Sequence, residues 1–123
     1  MRVVIAGGRD QRLTADDIYR LDQLVQSLPI TEVVTGGARG IDTDAHEWAR
    51  SRMLPTKVIN ADWEKFGKSA GPIRNAQMAR QSDVVVTFKG GRGTDNMKHT
   101  AVALGLKLID YGKDERDTNE HEV

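Results

Sequence analysis

Asp83-Val84-Val85-Val86-Thr87-Phe88, followed by Lys89 and then Gly90-Gly91-Arg92-Gly93-Thr94, is the stretch on which the fold turns. Its apolar run is short, β-branched and closed by glycines, so it reads as a strand buried on both faces rather than as part of a helix. Gly90–Gly93 is then a loop, and Thr94 is suited to cap a helix carrying Met97, Ala101 and Leu104. Gly105 stops that helix, and Leu106–Ile109 supplies the next apolar run. Strand, glycine loop, helix and strand in this order make a βαβ unit, whose two strands lie parallel.

The same alternation extends toward the N-terminus. Val3–Ala6 is a β-branched run closed by Gly7-Gly8. Thr14 reads as an N-cap with Asp17 as its capping-box partner. Ile18, Leu21, Leu24, Val25 and Leu28 follow at helical spacing until Pro29. Glu32–Thr35 is a second strand closed by Gly36-Gly37, and Ile41, Ala45, Trp48 and Ala49 form the apolar stripe of a helix reaching about Arg52. Lys57–Ile59 is a short third strand, Asn60–Ala70 reads as irregular, and Gly71-Pro72 opens a third helix with proline in its first turn. There is no repeat and no linker. The pattern predicts a Rossmann-like α/β three-layer sandwich with a five-stranded parallel sheet in the order 3-2-1-4-5. Residues 1–110 form this domain, and 111–123 read as a polar, acidic, flexible tail.

Composition narrows the function. Lysine plus arginine and aspartate plus glutamate each total 18, so the net charge is zero. The tail from Lys113 carries a net −3, leaving +3 on the rest. That suits a small anionic ligand better than the coating of duplex DNA. The absence of cysteine excludes a disulfide scaffold, a cysteine zinc site and a thiol nucleophile. The apolar run after Met1 is too short for a signal peptide, and no run approaches membrane-spanning length, so a cytoplasmic protein without a membrane partner is expected.

In a sheet of this winding, ligands bind beyond the carboxyl ends of the strands where the winding reverses, here between strands one and four. The loops at that end are Gly7-Gly8-Arg9-Asp10, Gly36-Gly37-Ala38-Arg39-Gly40 and Gly90-Gly91-Arg92-Gly93-Thr94, joined by Gly71-Pro72-Ile73-Arg74-Asn75 at a helix start. Glycine lets backbone approach a ligand, free N–H groups at helix starts point at anions, and arginine presents a planar fork to phosphate oxygens. Other motifs fail. Gly67-Lys68-Ser69 imitates the end of a Walker loop but has Asp62 where glycine is required. The dinucleotide fingerprint fails at Asn96, no serine sits in a nucleophile elbow, and His46, His99 and His121 lack metal-ligand spacing. No metal and no cofactor are expected.

Val33-Val34-Thr35-Gly36-Gly37-Ala38-Arg39-Gly40-Ile41-Asp42, then Ala61-Asp62-Trp63 with Gly71-Pro72-Ile73-Arg74-Asn75, then Gly90–Thr94 resemble the YspA-like branch of the SLOG superfamily. This superfamily groups Rossmann-like domains related to DprA and to the LOG phosphoribohydrolases. The resemblance runs to about Leu108 and implies binding of a nucleotide or nucleotide derivative; the converging glycine–arginine loops and the missing hydrolase glutamate make sensing or sequestration the expected use of it. The second loop, continued through Asp44-Ala45-His46, is similar to the DprA signature at a single-stranded DNA site. The fourth loop is similar to the LOG motif but has Lys89 for its proline and Met97 for its catalytic glutamate. Methionine cannot carry a proton, so LOG-type hydrolysis is disfavoured. A nucleoside-monophosphate N-glycosidase would need Arg74, which matches the family's arginine, and a displaced acid such as Asp95.

Individual residues carry alternatives. Arg39 and Arg92 are expected as phosphate clamps, or as partners of Asp42 or Asp95. Asp10 is placed to accept from a ribose or base, or to cap a turn. Asp42 reads as a helix cap before a catalytic group. Trp63 offers a π-face to a base but is expected first as a packing anchor, Trp48 is core, His46 lies on the helix surface, and Lys68 stands near the pocket or in solvent. A homodimer is expected through the third and fourth helices, where Met78, Met97, Val102 and Leu104 offer apolar side chains.

Overall fold

In a computed structural model that describes residues 1–112, each valine-rich run becomes a strand and each amphipathic stretch a helix. The strands are β1 (Arg2–Ala6), β2 (Glu32–Thr35), β3 (Thr56–Val58), β4 (Val84–Thr87) and β5 (Lys107–Asp110). They form one parallel sheet in the order β3-β2-β1-β4-β5, as the alternation predicts. The helices are α1 (Ala15–Ser27), α2 (Ile41–Ser51), α3 (Trp63–Phe66), α4 (Ala70–Arg80) and α5 (Arg92–Ala103), with a 3-10 turn at Gly67–Ser69 between α3 and α4.

Period-two alternation divides the core. Val3, Ile5, Val33, Val84 and Val86 face α1 and α2, meeting Leu21, Leu24, Ile41 and Trp48. Val4, Val34 and Val85 face the other way, onto Met78 and Ala79 of α4 and Met97 and Ala101 of α5. Both faces of the central strands are thus covered, which parallel sheets require. The Thr14 capping box forms as read: the Asp17 N–H donates to Thr14 Oγ1 at 3.1 Å and the Thr14 N–H to Asp17 Oδ2 at 3.0 Å. Trp48 is core, and its Nε1 donates to Asp22 at 2.9 Å.

The structure corrects four readings. Met78 and Met97 are 1% and 0% exposed, because they fill the second core, so the dimer surface expected from them loses its centre. Only Val102 and Leu104 of that set are exposed. Thr94 does not cap α5: the helix starts at Arg92 behind Gly91, no side chain caps it, and Thr94 is buried inside its first turn. Asn60–Ala70 is not wholly irregular, since Asp62 accepts the Lys65 N–H at 3.1 Å and starts α3. Tyr111 packs on Phe88 with ring centroids 5.7 Å apart, and its N–H reaches the Thr87 carbonyl at 2.8 Å. From 113 onward the expected tail lies outside the described residues. Among the described residues, no helix is long and apolar enough to cross a membrane.

Candidate functional site

The carboxyl ends of β1, β2 and β4 bring their loops together around a cleft of about 700 Å³. The β1–α1 loop is the wedge between the other two. The Gly8 N–H donates to the Lys89 carbonyl at 2.9 Å, and the Gly8 carbonyl accepts the Ile41 N–H at 3.2 Å. Side chains are excluded from this junction by space alone. A Cβ on Gly7 would meet three Ile41 carbons at 2.6–2.7 Å, and one on Gly8 would stand 3.0 Å from Gly90 Cα. Gly40, at φ +79°, sits against the carbonyls of Gly8 and Arg9, where a left-handed backbone and a close approach coincide.

Beyond this junction the cleft is open. Apart from their chain neighbours and the helix's own backbone, Gly91 and Gly93 have no described atom within 4 Å of where a Cβ would be, so they present backbone rather than packing. They stand at the start of α5, whose first-turn N–H groups have no side-chain cap. Arg92 and Lys68 line the cleft, and neither has an ion-pair partner among the described residues. Trp63 is 49% exposed on the cleft wall with the Arg9 guanidinium 5.5 Å from its ring centroid, so it is not the packing anchor expected of it. α3 holds it at the surface because that single turn buries none of its residues.

Arg74 and Asn75 brace the floor. Arg74 Nη1 donates to the Gly36 carbonyl at 2.7 Å and its Nε to Asn75 Oδ1 at 3.1 Å. Buried Asn75 donates onward to the Gly93 carbonyl at 3.1 Å and to Asn96 Oδ1 at 3.0 Å. This chain of bonds ties the β2–α2 loop to the start of α5. Gly36 makes room for it, because a Cβ there would lie 2.7 Å from the Arg74 guanidinium carbon. Burial lowers the Arg74 pKa, with Arg9 adding repulsion and Asp42 opposing both.

Asp42 lies on the cleft wall but is 6% exposed. It does not cap α2, whose cap is Gly40; its Oδ2 accepts the Ala38 N–H at 3.2 Å and closes the loop. Burial pushes its carboxyl above the usual range, against the pull of the Ala38 N–H and the Arg74 charge.

Of the expected site residues, the cleft gathers Gly7, Gly8, Arg9, Asp10, Asp42, Trp63, Arg74, Asn75 and the whole run Gly90–Thr94. Gly36, Gly37 and Arg39 line a second hollow of about 380 Å³ instead. Gly40 lies on neither wall, and Arg39 pairs with Asp10 at 3.0 Å, not with Asp42 or Asp95. Asp95 faces Lys98 at 3.9 Å and does not line the cleft, and Met97 is in the core. The acid that a glycosidase would need is therefore not brought beside Arg74 by that residue. Three polar residues are not among the expected ones: Gln11 and Asn96 in the cleft and Asn60 in the hollow. Asn96 sits three residues after Gly93 on the same helix, and that spacing places both on one face. Among the described residues, no group of three histidines, cysteines or acids is arranged to hold a metal. The arrangement offers an uncapped helix start, a half-exposed indole and, among the described residues, cations without ion-pair partners, with Asp10 and Asp42 as the cleft's only carboxylates.

Comparison with known proteins agrees with this fold. The profile of the YspA, cpYpsA-related SLOG family (YAcAr) matches residues 1–66. The Gene 61 protein of Mycobacterium phage D29 is 37% identical over 121 residues, covering 90% of this chain and 96% of that protein. The X-ray structure of TM1055, a structural genomics target, superposes with a TM-score of 0.68 at 20% identity, over 87% of this chain and 71% of that one. At that identity the likeness is one of fold.

Proposed function

This chain belongs to the YspA, cpYpsA-related SLOG family, and from that premise we propose that it binds a nucleotide or nucleotide-derived small molecule, to sense or sequester it. The ligand's phosphate rests on the free N–H groups at the start of α5, with Arg92 and Lys68 closing on its charge. Its base lies along Trp63. The observation that carries this reading is the open start of α5. Gly91 and Gly93 face open space, no side chain caps the helix, and Arg92 and Lys68 beside it lack ion-pair partners among the described residues. A cleft of about 700 Å³ is of the size that takes a small organic ligand.

Isothermal titration against nucleoside monophosphates, cyclic nucleotides and ADP-ribose derivatives tests the proposal. One class should bind, and Arg92→Ala should weaken it roughly tenfold by removing a charge-assisted contact. Unchanged affinity in Arg92→Ala would remove the α5 cradle from the site. Absence of binding across the panel would overturn the reading.

A further inference from the structure

The second hollow adjoins the cleft and shares Arg9, Trp63 and Arg74 with it as a common wall. Its far side is Arg39, Asn60 and the backbone of Gly36-Gly37-Ala38. Three guanidinium groups therefore face one small space. Arg74 is half-buried, and its bonds go to a carbonyl and an amide oxygen rather than to a carboxylate. Arg9 has no ion-pair partner among the described residues and lies over the Trp63 ring. The two nearby acids are already engaged, Asp42 by the Ala38 N–H and Asp10 by Arg39. Three guanidinium groups thus meet two acids, Asp10 paired with Arg39 and Asp42 attracting Arg74, and the positive charge left in excess is one that an anion relieves.

We infer that the ligand carries two phosphate groups separated by a nucleoside, one on the start of α5 and the other in the arginine hollow beyond Trp63. The inference rests on the α5 cradle proposed above and specifies the chemistry of what it holds. A monophosphate on the start of α5 leaves the hollow, and the excess positive charge on its walls, without an anion. A nucleoside 3′,5′-bisphosphate reaches both, with its base against the indole that stands between them. Two compartments of about 700 and 380 Å³ suit a small molecule of this kind.

Titration of the full chain with adenosine 5′-monophosphate, adenosine 3′,5′-bisphosphate and a single-stranded DNA decamer tests this. The bisphosphate should bind roughly tenfold tighter than the monophosphate, the effect of one more charge-assisted contact set. Arg39→Ala should abolish that advantage. Asp10→Asn should enlarge it, because it frees Arg39 from its acid; two exposed neighbours acting in opposite directions separate anion binding from a loss of fold. Equal affinity for the mono- and bisphosphate would overturn the inference while leaving the α5 cradle standing. Failure of both small ligands to bind would overturn the two together. Tighter binding of the decamer than of the bisphosphate, with a steep loss on adding salt, would assign the hollow to a nucleic-acid backbone and overturn the small-molecule assignment.

Discussion

The β2–α2 loop, Gly36-Gly37-Ala38-Arg39-Gly40, and the start of α5, Gly90-Gly91-Arg92-Gly93-Thr94, are spelled almost alike, and the fold uses them differently. In the first, glycines exist because neighbours press on them: the Arg74 guanidinium on Gly36, Asn60 and Val58 on Gly37, and the carbonyls of Gly8 and Arg9 on Gly40. Its carboxylate, Asp42, is turned inward to hold the Ala38 N–H. In the second, only Gly90 is pressed, by Thr94 and the Gly8 backbone, while Gly91 and Gly93 face open space. The same composition therefore builds a packed brace on one side of the crevice and an open cradle on the other. Glycine substitutions in the brace should register in stability, and glycine substitutions in the cradle should register in binding.

The largest expected effect is at the brace. Gly40→Ala must place a methyl against two backbone carbonyls at a left-handed φ, so it should lose about 3 kcal/mol or more in urea denaturation. A loss under about 1 kcal/mol would mean that this loop is not packed as described. Next comes Asn75→Ala, which removes the acceptor of Arg74 Nε and the donor to the Gly93 carbonyl and Asn96 Oδ1, and should cost about 1–3 kcal/mol. Because Asn75 joins the two loops, that variant should also weaken ligand binding.

Asp42 gives a smaller, pH-dependent effect. Its folded pKa is raised, so the folded state holds its proton more tightly than the unfolded chain does. The associated stability is fully present below the unfolded value of about 3.9 and is lost as pH rises through the folded one. Relative to Asp42→Asn, the wild type should become progressively less stable with rising pH across that window. Parallel pH profiles of the two proteins would contradict the burial assigned to this carboxylate. The smallest stability effect is at the cradle: Gly93→Ala should change stability by no more than about 0.5 kcal/mol, yet should lower ligand affinity by filling open cleft space.

The fold was legible because each level of the sequence pointed the same way. Valine runs mark the strands, the Thr14–Asp17 box marks the start of α1, and alternation with helices calls for a parallel sheet, in which 3-2-1-4-5 is the preferred order and the one observed. The convergence of Arg9, Arg74, Arg92 and the glycine loops followed from that topology. What single-residue pattern could not carry was direction. Met78 and Met97 were read outward because methionine serves contacts as readily as cores, yet α4 and α5 must cover the second face of the sheet. Trp63 was read inward because tryptophans usually pack, yet it sits on one exposed turn between Asp62 and Gly67 that has no core-facing stripe. The division between packed and open glycines depends on neighbours distant in sequence, such as Ile41 beside Gly7 and Arg74 beside Gly36, and no local motif encodes it.

The central claim is that the open start of α5, not the packed β2–α2 loop, holds the ligand's principal phosphate. Amide NMR of the full chain during titration with adenosine 5′-monophosphate examines it residue by residue. The account predicts the largest shifts at the Arg92, Gly93 and Thr94 amides and at the Trp63 indole, with Gly40 and Ala38 far less moved. Largest shifts at Ala38 and Gly40, with Arg92, Gly93 and Thr94 unmoved, would contradict it.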